Sequence, residues 1–268
     1  MADPVGDVVW TPETAIAMLR SADLSQRYYA AWWLGKMRVH SAVPALLVAL
    51  QDEEDRTALG GYPLRRNAAR ALGKLGDTTA LPALEEALHC SDFYVREAAA
   101  QAIEEIAASS PSAHCAAQAC IPALTKLLSS SEPQPYEAIL EALGQLRAVS
   151  AQALVEPFLH HSLPRIRMAG ARAMYGLTGD PQYGELLVRE LSNPDVNLRR
   201  VALTDLGKIG YLPAAEVIPQ CQVENSFKLF ALKSLLAHHL PASGITLELD
   251  PNLAATLQKI MLAMDELL

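Results

Sequence analysis

The chain has 268 residues, and 22 Lys+Arg against 30 Asp+Glu leave a formal net charge of −8 at pH 7, with 51% hydrophobic and 19% charged residues. That apolar content excludes a disordered chain, whose low hydrophobicity and high charge leave nothing to bury. The acidic balance argues against nucleic acid, because neutralising phosphates takes clustered Lys and Arg.

The opening segment, MADPVGDVVW, has neither the basic nor the apolar region of a signal peptide. Thr11-Pro12 then sets an N-cap residue before a proline at a first helical position, which predicts a helix start. Next, LSQRYYAAWWLGKMRVHSAVPAL (24–46) aligns with YPLRRNAARALGKLGDTTALPAL (62–84). Leu34, Gly35, Ala42, Pro44 and Leu46 fall on Leu72, Gly73, Ala80, Pro82 and Leu84, each shifted by 38 residues. The unit recurs with an anchor at Leu34, Leu72, Ile103, Leu143, Met174, Leu206 and Leu235, at intervals of 38, 31, 40, 31, 32 and 29. Such periods belong to helical-hairpin solenoids.

Four residues before each anchor stands a small residue (Ala30, Ala68, Ala99, Gly170, Ala202, Ala231), with Ile139 the exception. Seven before it stands a cation (Arg27, Arg65, Arg96, Arg167, Arg199, Lys228), with Tyr136 the exception. Offsets of four and seven share one helical stripe, so each unit reads as helix A, a turn and a helix B that buries the stripe. Glycines at or just past the anchors, such as Gly73 and Gly76, mark where a helix ends or turns. The expected fold is all-α, a right-handed superhelix of about seven hairpins resembling the HEAT-repeat class, in a single domain over 1–268. Asp250-Pro251 starts a last amphipathic helix over 251–268, with Leu253, Leu257, Ile260, Met261, Met264, Leu267 and Leu268 on one stripe, which caps the final repeat or docks a partner.

Two stretches break the period. Residues 51–62 (QDEEDRTALGGY) are acidic and then glycine-rich, and 107–118 (AASSPSAHCAAQ) read as a loop. The uncharged run Ile106–Thr125 is too polar to span a membrane, so the chain is expected to be soluble and cytoplasmic. No paired metal-ligand spacing joins Cys90, Cys115, Cys120 and Cys221, which are expected as reduced thiols. None of the seven histidines precedes a Glu, adjacent His160-His161 and His238-His239 point apart, and no metal site is expected. His89-Cys90 and His114-Cys115 read as surface or loop neighbours.

Asp23, Asp92 and Asp195 stand four residues before Arg27, Arg96 and Arg199, which predicts Asp–Arg pairs in a structural ladder between repeats. The informative columns lie one and five residues past the cation. They read Tyr28 and Trp32, Arg66 and Arg70, Glu97 and Gln101, Glu137 and Glu141, Met168 and Arg172, Arg200 and Thr204, Leu229 and Lys233. A mainly polar column faces solvent or a groove, and helix B lines the concave side of such a superhelix. Trp32 is thus a tryptophan without a place in the core, whereas Trp33 turns inward. Tyr28, Trp32, Tyr62, Arg66 and Arg70 suit a flat conjugated ligand bearing carboxylates. Glu97, Glu137 and Glu141 could hold nitrogen protons or transfer one. A solvated face with ordinary i,i+4 charge pairs reads the same columns without a ligand.

YYAAWWLGKMRV (28–39), GGYPLRRNAARALGKLGD (60–77), DFYVREAAAQ (92–101) and QPYEAILEALG (134–144) closely resemble the E subunit of the E/F-type phycobilin lyases. The likeness covers about residues 11–268. It implies an F-type partner in a heterodimer, phycocyanobilin as substrate with no permanently bound cofactor, and thioether attachment to a cysteine of the phycocyanin α subunit. A scaffold or chaperone for phycobiliprotein assembly is the other function it admits. The isomerase motif of some F partners is absent, since His114-Cys115 lies between Ala113 and Ala116. The implied chemistry adds the acceptor's thiol to the ethylidene of the bilin A ring, so the chain itself needs neither nucleophile nor metal.

Overall fold

The computed structural model describes residues 10–240 and 250–268. The signal-peptide reading of the opening segment therefore falls outside the described residues, except at Trp10. The helices are α1 (Pro12–Met18), α2 (Leu24–Lys36), α3 (Val43–Leu50), α4 (Pro63–Leu75), α5 (Leu81–Ala87), α6 (Phe93–Ser109), α7 (Pro111–Ala117) and α8 (Ile121–Leu128). They continue as α9 (Tyr136–Gln145), α10 (Gln152–Val155), α11 (Pro164–Thr178), α12 (Pro181–Glu190), α13 (Val196–Ile209), α14 (Asn225–His239) and α15 (Pro251–Leu267), with short 3₁₀ turns between several of them. No strand occurs among the described residues, and none of their helices is long and apolar enough to cross a membrane. The chain divides into two compact units, Met1–Leu154 and Val155–Leu268, each described by itself.

In both units the anchors sit where the period puts them. Leu34, Leu72, Ile103, Leu143, Met174, Leu206 and Leu235 are all 0% exposed. Burying each is worth about 2 kcal/mol, so the stripe drives the stacking. The small residues four positions earlier are buried beside them, including the exception Ile139.

The cation column is structural, but its partners differ from the expected ones. Arg96 is 6% exposed and donates from Nη1 to the carbonyls of Cys90 and Ser91 at 2.8 and 3.0 Å. Its Nη2 reaches the Pro133 carbonyl at 2.8 Å and its Nε the Gln134 side chain at 3.0 Å, tying two consecutive repeats. Arg167 repeats the local half on His161 and Ser162, and Arg199 on Asn193 and Pro194, always six and five residues back. The aspartates cap their own helices instead: Asp23, Asp92 and Asp195 accept from Ser25, Tyr94 and Asn197 N–H at 2.8 Å. An N-cap carboxylate is held by the first free N–H groups, and the guanidinium a turn later meets the carbonyls where the preceding helix stops.

In the first unit, residues 51–62 form a connection pinned at its base. Arg27 pairs with Asp52 and Glu54 at 3.1 and 3.0 Å, and Arg65 with Glu53 at 3.3 Å. The expected loop at 107–118 is largely helical. Helix α6 runs on to Ser109, Ser110 caps α7 by accepting from Ala113 N–H at 3.1 Å, and Pro111 takes the first position. Serine then proline is a helix-start signal, here set among alanines that favour helix. Gly76 ends α4 with φ +69°, the left-handed conformation that glycine adopts cheaply.

In the second unit, Leu187, Leu203, Leu206, Ile218, Leu232 and Leu235 make a core with no exposure. Leu257 and Ile260 of α15 close it, at 4% and 1% exposure, which fits the capping role. Met261 and Leu268, counted on the same stripe from sequence, stand outside it at 57% and 93% exposure. The polar column is also interrupted here, because Met168 and Arg172 are buried. Arg172 Nη1 stands 3.5 Å from Asp205 of the next repeat, so a partner invisible to periodicity takes its side chain inward.

Candidate functional site

Helices α2, α4 and α6 of the first unit leave a cleft of about 430 Å³ along their polar columns. Its floor is made of small residues, Gly35, Ala71 and Ala102. The helices come so close there that a Cβ on Gly35 would stand 2.7 Å from Ala71 Cα. Close backbones and long flanking side chains produce a trough.

Tyr28 and Trp32 of α2 form one wall. Trp32 is 45% exposed, with Lys36 Nζ 4.7 Å from its ring centroid. Trp33, one residue on, turns inward and packs on Trp10 at 5.8 Å between centroids. Arg70 and Lys74, one turn apart on α4, carry positive charge into the cleft. Arg70 Nη2 stands 4.0 Å from Glu97 on α6. Partial burial lowers the Arg70 pKa, Arg66 lowers it further, and Glu97 opposes both. A guanidinium keeps its proton regardless, so Arg70 stays a partly desolvated cation in the cleft.

Arg66 lies beside this group, its guanidinium 5.4 Å from the Tyr94 ring centroid. Its Nε is buried without a hydrogen-bond partner among the described residues. Glu97 is half-buried at the margin, and Gln101 and Glu105 of α6 complete the lining.

Tyr62, Glu137 and Glu141 are not brought to the cleft. Tyr62 is 8% exposed beneath Arg65 and Arg56, 4.6 and 5.7 Å from its ring centroid, and its N–H donates to Asp92 at 2.8 Å. It braces the 51–62 connection. Glu137 and Glu141 lie on α9, half-buried and engaged by neighbours. Asn67, Lys74 and Glu105 line the cleft without having been singled out from sequence. Extending the columns one more turn, to nine residues past the cation, gives Lys36, Lys74 and Glu105 and would have found two of them.

Among the described residues no group of three or more His, Cys, Asp or Glu could hold a metal. The four cysteines are free; Cys115 is exposed on α7, whereas burial lifts the Cys120 thiol to about 11 and pushes Cys221 up as well. The cleft thus offers aromatic faces, cations and amides: the means to hold a flat, conjugated anion.

A family model described as HEAT repeats matches residues 12–104. The phycocyanobilin lyase subunit alpha of Nostoc sp. is 54% identical over 96% of this chain and 94% of its own length. The chain belongs to the phycocyanobilin lyase alpha-subunit family. The family member of Thermosynechococcus vestitus is 53% identical over 84% of this chain and 86% of its own length. The bilin biosynthesis protein PecE of Mastigocladus laminosus is 45% identical over 85% of this chain and 82% of its own length. In the solved complex of CpcE and CpcF of phycocyanin lyase from Nostoc sp., one chain matches with a TM-score of 0.85 and 52% identity, over 100% of this chain and 98% of that one. An engineered protein that matches at 19% identity, with a TM-score of 0.53 over 75% of this chain and 99% of its own, shares the fold alone.

Proposed function

We propose that this chain is one half of a heterodimeric bilin lyase that, with an F-type partner, attaches phycocyanobilin to a cysteine of the phycocyanin α subunit. The observation that carries it is 54% identity to a phycocyanobilin lyase subunit alpha across nearly the whole of both chains. The solenoid match to a chain of the CpcE–CpcF complex supports the two-subunit assembly. The chain works in the cytoplasm, holds no permanent cofactor and meets phycocyanobilin as substrate.

In this reading Tyr28 and Trp32 stack on the conjugated system while Arg66, Arg70 and Lys74 take the two propionates. Glu97 orients Arg70 and is the carboxylate of the three positioned to move a proton. The acceptor's thiol adds across the ethylidene double bond: the S–C bond forms as the C=C π bond opens, and the thiol proton ends on the adjacent ring carbon. Binding and orientation supply the rate, since holding reactants in place replaces a bimolecular encounter.

Co-production of this chain, its F-type partner, apo-phycocyanin α and phycocyanobilin tests the reading. Covalently coloured, zinc-fluorescent α subunit is expected only when this chain is present. Equal colour without it contradicts a lyase, and colour that needs the chain merely to keep the acceptor soluble makes it a scaffold.

A further inference from the structure

Asn67 is 4% exposed and yet lines the cleft. Its Nδ2 donates to the Tyr28 carbonyl oxygen at 3.1 Å, which fixes the orientation of the amide, because the opposite orientation would set oxygen against oxygen. Oδ1 is left on the other side and accepts no hydrogen bond from the described residues. Nor is it sealed, since the fully enclosed polar side-chain atom without a partner among those residues is Arg66 Nε. The cleft is the opening that Asn67 lines.

The sequence makes this amide conspicuous. Residues two past the recurring cation are Tyr29, Asn67, Ala98, Ala138, Ala169, Val201 and Phe230, an apolar column broken once by an amide. An amide set into a packed apolar column costs free energy unless its polar atoms keep partners, and among the described residues only Nδ2 has one. Other acceptors around the cleft have other calls on them. Glu97 faces Arg70 at 4.0 Å, Glu105 is engaged by a neighbour, and Gln101 is only half-buried and open to water.

We infer that Asn67 Oδ1 accepts a hydrogen bond from an N–H of the bound bilin, so that the edge of the tetrapyrrole carrying pyrrole and lactam N–H groups turns to the floor between α2 and α4. The propionates then point to the rim, where Arg70 and Lys74 stand one turn apart. This assignment rests on the bilin-binding reading above and adds which edge of the substrate is read, and by which atom.

The test is titration of phycocyanobilin into the heterodimer carrying Asn67→Ala or Asn67→Asp, beside wild type and Trp32→Ala. Both Asn67 variants lose the tether to Tyr28, and the aspartate also sets an oxygen against the Tyr28 carbonyl, so its structural cost is the larger; only the alanine loses the acceptor. Asn67→Ala is expected to weaken binding about fivefold to tenfold, and Asn67→Asp to stay within about twofold of wild type or bind tighter. If the alanine variant does not fold, the near-isosteric Asn67→Leu takes its place. Equal weakening in both variants makes Asn67 a structural tether and overturns the assignment. No change in either, with Trp32→Ala weakened, also overturns it while leaving the cleft standing. No change in any of the three sinks the cleft itself.

Discussion

The Arg70 guanidinium stands 4.0 Å from the Glu97 carboxylate, across the gap between α4 and α6 at the margin of the cleft. Both side chains keep about a third of their surface, 37% and 30%, so the pair contributes little to folding. Glu97→Gln is expected to leave the melting temperature unchanged and to loosen Arg70, weakening phycocyanobilin binding about threefold to fivefold. If Glu97 also carries a proton in the transfer step, the same variant slows attachment by about a hundredfold beyond that. Affinity by absorbance titration and single-turnover attachment separate the two contributions.

A double-mutant cycle tests what the recurring arginine holds. Asp195→Ala removes an N-cap and should cost about 1 kcal/mol. Arg199→Ala strips donors from the carbonyls of Asn193, Pro194 and Gln222 and should cost about 2–4 kcal/mol. Because the aspartate caps and the arginine binds carbonyls, the coupling in denaturant unfolding should be under about 0.5 kcal/mol. A larger coupling would restore the Asp–Arg ladder.

Two glycines should respond differently to alanine. At Gly73 a Cβ would stand 2.8 Å from Ala102 Cα and 2.9 Å from Glu105 Oε2, so α4 and α6 would have to separate. Gly73→Ala is expected to cost about 2–3 kcal/mol and to weaken bilin binding through the cleft floor. At Gly179, φ is +70° with nothing within 4 Å, so Gly179→Ala should cost only about 1 kcal/mol of backbone strain and leave binding unchanged. Chemical denaturation of the two variants decides it.

The thiols should separate by accessibility. Cys115 is exposed and should react with a disulfide reagent at pH 8 in the native protein, whereas buried Cys120 and Cys221 react only after unfolding. Burial raises the Cys120 pKa from 9.0 to about 11. The folded state therefore keeps a proton that the unfolded state releases, so this stability is full below pH 9.0 and is lost as pH rises to about 11. Cys120→Ala should flatten that alkaline decline, and an unchanged decline would assign it to other groups.

Local periodicity revealed the seven B helices, because a leucine that stacks every 29–40 residues leaves its spacing in the chain. It also marked Trp32, since an indole among Arg70, Gln101 and Glu141 at the same offset has no core to enter. It failed where a side chain answers to a distant partner. Arg172 is drawn inward by Asp205, and Tyr62 is covered by Arg65 and Arg56 once the 51–62 connection folds back. Asn67 stands out in its column as an amide among apolar residues, but that column belongs to the packed side of the helix by spacing, and only the structure places it on the cleft lining.

The affinity of the heterodimer for phycocyanobilin with Trp32 replaced by alanine bears most directly on the pigment cleft. Trp32 is nearly half exposed, so its loss should leave helical circular dichroism and subunit assembly intact while weakening binding about tenfold or more. Unchanged affinity in a normally assembled heterodimer would place the pigment elsewhere.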